Sequence, residues 1–265
     1  MAFKKRNLFK PNETLKLSRS GVELFMNCQK CFYLERKLNV KALSGFPFNL
    51  NSAVDELLKN EFDSYREQKK PHPYMKNIDK NLIPFQHQNL DKWRANFTGV
   101  QFHHIETDLL LTGAVDDVWI DLDTDELVVV DYKSTSSKDE VNLDKDWQIS
   151  YKRQMEFYQW LLRQNGFKVS NDGYFVYCNG IKEKDSFDEM LEFKVKVLHY
   201  EGNDNWVENT LFEIQKILAQ IDLPENNPEC DLCSYAETRN EIENYTDIED
   251  NPYEEGENCW EDNNE

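Results

Sequence analysis

Residues 113–133 read GAVDDVWIDLDTDELVVVDYK. Two apolar, β-branched runs, 108–122 and 126–135, flank Asp-Thr-Asp at 123–125, and this pattern predicts a β-hairpin. Asp131 and Lys133 are two residues apart, so their side chains share one face of the second strand. Folding the hairpin about Thr124 places residue 131 opposite 117, so Asp116 falls within one or two residues of Asp131. The hairpin therefore predicts two carboxylates and one ammonium group at one point.

This combination of side chains suits metal-dependent cleavage of phosphodiester bonds. Carboxylate oxygens hold Mg²⁺ or Mn²⁺, which polarise a phosphate and lower the pKa of a bound water. A lysine can orient that water or stabilise charge on the transition state. The alternative is a surface hairpin whose i,i+2 ion pair contributes little to stability.

Helices and further strands are predicted on both sides of the hairpin. Ser20-x-x-Glu23 is a plausible capping box for a short helix, and Asn49 or Asn51 could cap a second one. After the hairpin the pattern predicts a helix at about 144–164, strands at 173–178 and 191–200, and a helix at 206–221. This order predicts an α/β domain with one central mixed sheet flanked by helices.

Charge is distributed unevenly along the chain. The 265 residues include 50 acidic and 31 basic side chains, a net charge of −19 that by itself argues against a nucleic-acid binder. Residues 1–41, however, net +7, and residues 236–265 net −11. We therefore divide the chain into a basic arm at 1–17, a domain at 18–236 and an acidic, disordered tail at 237–265. The tail could be solubilising, a DNA-mimicking self-inhibitor, or a docking segment for a basic protein partner.

No apolar run is long enough to span a membrane, and the N-terminus lacks the features of a secretory signal. We therefore expect a cytoplasmic protein without membrane contact; the sequence leaves its oligomeric state open. Six Cys are too few for a disulfide-stapled scaffold, and in a reducing compartment paired Cys more often bind metal.

Two Cys pairs have the spacing of metal ligands. Cys28-x-x-Cys31 and Cys230-x-x-Cys233 could form one Cys₄ site that joins the two ends of the domain, and such a site suits zinc or an iron–sulfur cluster. The alternative is four unrelated thiols. Cys178 is expected in the core, and Cys259, in the tail, is expected to be free.

Cations and aromatic residues alternate near the first Cys pair, at Lys30, Phe32, Tyr33, Arg36 and Lys37. Such a segment could stack and neutralise single-stranded DNA. The alternative is an amphipathic helix whose aromatic side chains lie in the core.

Three motifs follow one another in order: Gly113-x-x-Asp116, Asp131-Tyr-Lys133 and Gln154-x-x-x-Tyr158. Over roughly residues 15–235 the chain resembles the PD-(D/E)XK nucleases, and within them the RecB-like and CRISPR-adaptation exonuclease branch. The resemblance implies a restriction-endonuclease-like core in which Asp116 and Asp131 bind metal and Lys133 is the catalytic lysine. It also implies that Gln154 and Tyr158 line the site or contact DNA, whereas the alternative for this pair is ordinary helix packing. Asp117 is a rival for the role of Asp116.

The chain departs from the pattern of this branch at two places. The branch usually has a metal-binding His on its early helix, where this chain has Asp55; that carboxylate could bind Mg²⁺ or Mn²⁺, or face solvent. The branch usually holds a 4Fe–4S cluster with one early and three late Cys. Here the position six after Cys233 is Arg239, so the pattern is two and two, and Zn²⁺ and the cluster both stay open.

The sequence thus predicts a Mg²⁺- or Mn²⁺-dependent deoxyribonuclease in DNA repair, recombination, or CRISPR or phage DNA processing, acting on DNA with single-stranded character. Two alternatives are open. One is a catalytically inactive nuclease fold that binds DNA or a protein; the other is an interaction module built on the Cys₄ site.

Overall fold

Eight strands in two sheets form the framework of the computed structural model, which describes residues 9–10, 13–43, 45 and 48–245. The strands are β1 (Leu15–Ser18), β2 (Leu82–Pro84), β3 (Val100–His104), β4 (Leu109–Gly113), β5 (Asp117–Asp121), β6 (Glu126–Thr135), β7 (Val169–Gly180) and β8 (Phe193–Glu201). The α-helices are α1 (Arg19–Asn27), α2 (Gln29–Phe32), α3 (Asn49–Gln68), α4 (Leu90–Arg94), α5 (Ile149–Gln164), α6 (Trp206–Ala219) and α7 (Asp231–Glu243).

The larger sheet has the strand order β2-β5-β6-β7-β8, and the smaller has the order β1-β4-β3. Strands β6 and β7 are parallel and are joined through α5, while the other pairs of the larger sheet are antiparallel. Helix α5 packs against one face of this sheet and α3 against the other. The predicted mixed α/β fold with flanking helices is confirmed.

Each face of the larger sheet has its own hydrophobic core, and successive side chains of β6 point to these two cores in turn. Val129 lies in the core under α5, whereas Val128, Val130 and Tyr132 lie in the core under α3. Period-two alternation therefore places the Asp131 side chain on the α5 face. In β5, Val118 lies in the α5 core and Trp119 in the α3 core, so Asp117 faces α3.

The predicted single strand at 108–122 is wrong, because the chain forms two strands there that belong to different sheets. Between them, the N–H of Val115 donates to the carbonyl of Trp93 (3.1 Å) and so leaves the strand ladder. The hairpin register also differs by one residue from the prediction. Asp117 pairs with Val130, so Asp116 stands opposite Asp131. The turn causes this shift, because the last pair is Asp121 with Glu126 and four residues form the loop.

The N-terminal helices begin at other residues than predicted. Ser18, not Ser20, caps α1, since its hydroxyl accepts from the N–H of Gly21 (3.3 Å). Asn49 is the first residue of α3 and does not cap it through its side chain. Phe32 and Tyr33 are buried, and the Tyr33 hydroxyl donates to the carbonyl of Ile221 (2.7 Å). The core-facing alternative therefore holds for these two aromatics, and they are not available to stack on DNA.

Both predicted domain boundaries fall inside regular structure. Residues 15–17 of the basic arm belong to β1, because Leu17 is fully buried where β1 pairs with β4. Residues 237–243 of the acidic tail belong to α7, where Glu237 accepts from Lys30 (3.1 Å). Residues 1–8, 11–12 and 246–265, including Cys259, lie outside the described residues. Within the described part of the chain, no helix combines the length and apolar character that crossing a membrane requires.

Candidate active site

Asp131 is held from two sides at the centre of the candidate site. Its side chain is fully buried, and its Oδ1 accepts from the amide of Gln154 on α5 (2.8 Å). Its Oδ2 pairs with the Lys133 ammonium. Among the described residues, no other group donates to Oδ2. A carboxylate oxygen has lone pairs for more than one partner, so Oδ2 could still bind a cation beside the lysine.

Asp116 approaches Asp131 from the start of the neighbouring strand. Its Oδ2 accepts from the backbone N–H of Tyr132 (2.9 Å), which fixes the carboxylate. Burial and then the negative charge of Asp131 raise the pKa of Asp116 to about 6. Two carboxylates that repel each other in this way form a site that a divalent cation would stabilise.

Lys133 supplies a positive charge next to this pair. Its ammonium lies over the Tyr151 ring, 4.5 Å from the ring centroid. Burial opposes protonation, but the charges of Asp131 and Asp116 outweigh it and raise the pKa of Lys133 above its ordinary value. The lysine is therefore a fixed cation at neutral pH, suited to stabilising a negatively charged phosphate.

Gln154 and Tyr158 face the carboxylates from one side of α5. The Gln154 amide donates both to Asp131 and to the Tyr158 hydroxyl (3.2 Å). Burial raises the pKa of Tyr158 to about 12, so the phenol stays neutral. The Tyr158 ring also occupies the place of a side chain at Gly113, where an added Cβ would lie 2.6 Å from it. Close contact thus connects the Gly113-x-x-Asp116 and Gln154-x-x-x-Tyr158 motifs.

Asp117 lies on the other side of the sheet and belongs to a buried ionic network. Its Oδ1 accepts from Arg66 (2.5 Å) and Arg94 (2.9 Å), and its Oδ2 accepts from the Tyr132 hydroxyl (2.8 Å). Its hydrogen-bonding capacity is thus used within the α3 core, away from Asp131. Of the two adjacent aspartates, Asp116 is the one placed beside Asp131.

Asp55 lies to one side of the pair. It accepts from Lys59 one helical turn later (2.6 Å), and burial and then the charge of Asp116 raise its pKa. It is thus close enough to interact electrostatically with Asp116. Among the described side chains, however, no three carboxylates converge closely enough to hold one ion. Lys59 is not among the predicted site residues, although its i,i+4 spacing from Asp55 is a usable signal.

The four predicted Cys ligands converge at a separate site. Sγ–Sγ distances are 3.6 Å for Cys28–Cys233, 3.5 Å for Cys31–Cys233 and 3.7 Å for Cys31–Cys230. All four sulfur atoms lie within 4.8 Å of one another, so they could share a metal. Burial raises the pKa of the Cys28 thiol, but hydrogen bonds, the largest of them from the backbone of Asn227, outweigh it and lower the pKa to about 7. The site joins α1 and α2 to α7.

Paired carboxylates next to a lysine are side chains that could hold a divalent cation beside a phosphate. The sequence profile of the PD-(D/E)XK nuclease superfamily matches residues 43–238. The chain belongs to this superfamily, whose members use divalent metals and bind nucleic acids.

Two further comparisons add little. No curated protein matches the chain. Among solved structures, the crystal structure of SSO0001 is similar, with 16% sequence identity, 85% of each chain covered and a TM-score of 0.37. At that TM-score the likeness carries no argument about fold or function.

Proposed function

We propose that the chain is a Mg²⁺- or Mn²⁺-dependent deoxyribonuclease of the RecB-like branch, with Asp116 and Asp131 as its metal ligands. The observation that carries the proposal is the pair of carboxylates, Asp116 and the fully buried Asp131, which lie beside each other and next to the Lys133 ammonium. The contact between Gln154 and Asp131 supports the branch, because it makes the Gln-x-x-x-Tyr motif part of the site. We expect the protein to act in the cytoplasm, in DNA repair, recombination, or CRISPR or phage DNA processing.

The donor set fits a hard divalent cation, since carboxylate oxygens are its usual ligands. When bound, such an ion would polarise the phosphate and activate water. The other contributions to catalysis come from side chains and backbone groups of the protein that are held in fixed positions. Gln154 donates to one oxygen of Asp131, and the N–H of Tyr132 donates to one oxygen of Asp116. Lys133 pairs with the other oxygen of Asp131. These contacts fix both carboxylates, which could then hold one ion between them. The Lys133 ammonium stabilises charge that develops on the phosphate oxygens.

Cleavage assays on single- and double-stranded DNA with Mn²⁺ test this proposal. We expect Lys133→Ala to lower kcat about 100- to 1,000-fold. Lys168→Ala is the matched control, because Lys168 is exposed and lies near the opposite end of β6. Cleavage that is equal in wild type and Lys133→Ala would contradict the role of the lysine.

A catalytically inactive DNA- or protein-binding fold is the second candidate. The net charge of −19 and the presence of Asp55 where the branch usually has His favour it. This candidate predicts binding of DNA or a protein, with no cleavage in Mn²⁺ or Mg²⁺. It also predicts that Asp131→Asn changes affinity alone.

For the Cys₄ site we propose a single tetrahedral ion such as Zn²⁺. Four thiolates about 2.3 Å from one zinc lie about 3.8 Å apart. The three distances of 3.5–3.7 Å support this arrangement. In a 4Fe–4S cluster each Cys binds a different iron, which separates the sulfur atoms further. Metal analysis of purified protein should give one zinc and no absorbance near 400 nm; a brown protein with four irons would contradict the proposal.

A further inference from the structure

An exposed tryptophan stands near the candidate active site. Trp147 lies in the 3₁₀ turn Asp146–Gln148 that precedes α5, and it is 55% exposed. Its indole meets the Tyr151 ring edge to face, with centroids 5.3 Å apart and an angle of 85° between the planes. Exposed single aromatics are common and need no explanation by themselves. The surroundings of Trp147 distinguish it from such residues.

The turn that carries Trp147 is held firmly. The next residue, Gln148, is buried; its amide donates to the carbonyl of Asn142 (2.7 Å) and its Oε1 accepts from the N–H of Lys145 (2.9 Å). The Ser150 hydroxyl donates to the carbonyl of Trp147 itself (3.1 Å). Because both sides of the turn are fixed, the indole is presented to solvent by a defined backbone.

Trp147 is connected to the acidic pair through a single ring. The Tyr151 ring that it contacts also carries the Lys133 ammonium on its face, and Lys133 is paired with Asp131. A nucleotide whose phosphate lies at Lys133 would therefore have its base within reach of the indole. Ile149, two residues further along the chain, is 46% exposed.

The charges around the indole limit how a strand can lie. Asp144, Lys145 and Asp146 are exposed next to Trp147; the two carboxylates would repel phosphates and outnumber the one ammonium between them, whereas Lys133 attracts phosphates. The backbone of a bound strand is therefore favoured on the lysine side and a base on the indole side. A base can cover the indole only if one of its faces is free, and within a duplex the stacked neighbours cover both faces of every internal base. An unpaired base can swing out of the stack and expose a face.

We propose that Trp147 is a stacking platform for an unpaired base of a DNA strand whose phosphate is held at Lys133. The inference rests on the proposed nuclease function and names the substrate as single-stranded DNA or a frayed end. It replaces Phe32 and Tyr33, which are buried, as the source of the predicted preference for single-stranded DNA. Stacking is insensitive to base identity, so the platform contributes affinity without sequence preference.

Binding of a fluorescein-labelled short oligothymidylate, measured by anisotropy in Ca²⁺ so that binding is separated from cleavage, tests the proposal. We expect Trp147→Ala to weaken this binding about 5- to 100-fold. Trp147→Phe should weaken it less. Binding of a blunt duplex should change less than that of the oligothymidylate. Phe97→Ala is the matched control, since Phe97 is a 92% exposed aromatic in the loop between α4 and β3, and it should bind as wild type.

Oligothymidylates with one abasic position identify the stacked base. In the wild type, one abasic position should reproduce the loss seen with Trp147→Ala, and that position should cause no further loss in the variant. Equal binding by wild type and Trp147→Ala would overturn the proposal and leave the indole to a protein partner. Equal losses for single strand and duplex, or an additive abasic effect, would also overturn it. A wild type that binds but never cleaves would refute the nuclease function and leave the stacking result standing.

Discussion

Asp116 and Asp117 are adjacent in sequence, but Asp116 lies beside Asp131 and Asp117 lies in a buried ionic network. The same substitution at each should therefore have opposite effects on stability and on cleavage of DNA. The Asp117 carboxylate is fully buried and accepts from Arg66 (2.5 Å), Arg94 (2.9 Å) and the Tyr132 hydroxyl (2.8 Å). Asp117→Asn keeps the shape but removes the charge that balances two guanidinium groups. Arg66 is only 3% exposed, so water cannot replace the lost partner.

Removing one partner from a buried ion pair costs about 3–5 kcal/mol, because the other charge is left uncompensated. Folded proteins are stable by only about 5–15 kcal/mol, so the loss is a large part of the total. For a chain of this size, that loss lowers Tm by about 6–20 °C. Asp63, which contacts both arginines, keeps part of their balance, so the expected loss lies toward the lower end.

Asp116→Asn should leave Tm unchanged or higher in the absence of metal. Burial and the charge of Asp131 raise the pKa of Asp116 to about 6, so an amide there removes a repulsion that is present at pH 8. Cleavage of DNA, in contrast, should be lost. Thermal melts followed by circular dichroism in EDTA, paired with cleavage assays in Mn²⁺, measure both effects. If both variants have the same Tm, or if Asp117→Asn has the Tm of the wild type, then the assignment of different roles to the two aspartates is wrong.

Three further predictions concern other parts of the molecule. Burial lowers the pKa of His72 in the folded protein below its ordinary value of 6.5, so as pH falls the unfolded chain binds a proton at a higher pH than the folded protein does. The stability that neutral His72 provides is therefore complete above pH 6.5 and is lost as pH falls below it. The urea midpoints measured at pH 7.5 and pH 5.5 should differ less in His72→Gln than in wild type. Cys28→Ser should lose the bound metal ion, whereas Cys178→Ala, which removes a buried thiol from a different core, should keep it in metal analysis. Gly113→Ala should lower stability by about 1–3 kcal/mol in melts and reduce cleavage, because the new Cβ would lie 2.6 Å from the Tyr158 ring; unchanged melting and cleavage would refute that contact.

The position of the acidic pair could be predicted because it depends on local pattern. Alternation along β6 fixes the side of Asp131, and hairpin folding brings Asp116 next to it. The register was one residue off, because Asp-Thr-Asp does not specify whether the loop has three or four residues. The break between β4 and β5 was missed because its cause, the bond from Val115 to Trp93, joins residues distant in sequence.

Contacts between residues that are far apart in sequence explain the other differences between the predictions and the structure. Nothing near Asp117 in the sequence points to Arg66 and Arg94, which arrive from α3 and α4. Tyr33 reads equally well as a stacking or a core residue until its hydroxyl is seen to donate to the carbonyl of Ile221. The convergence of the four Cys could be predicted from the sequence, because two Cys-x-x-Cys pairs at opposite ends of a domain are typical of metal ligands.

Crystals soaked in Mn²⁺, with diffraction data recorded at the manganese edge, test the central claim most directly. We expect one anomalous peak about 2.0–2.2 Å from a carboxylate oxygen of Asp116 and from a carboxylate oxygen of Asp131. In crystals of Asp131→Asn this peak should disappear. An anomalous map with no peak between these two side chains, at Mn²⁺ concentrations that support cleavage in solution, would contradict the account.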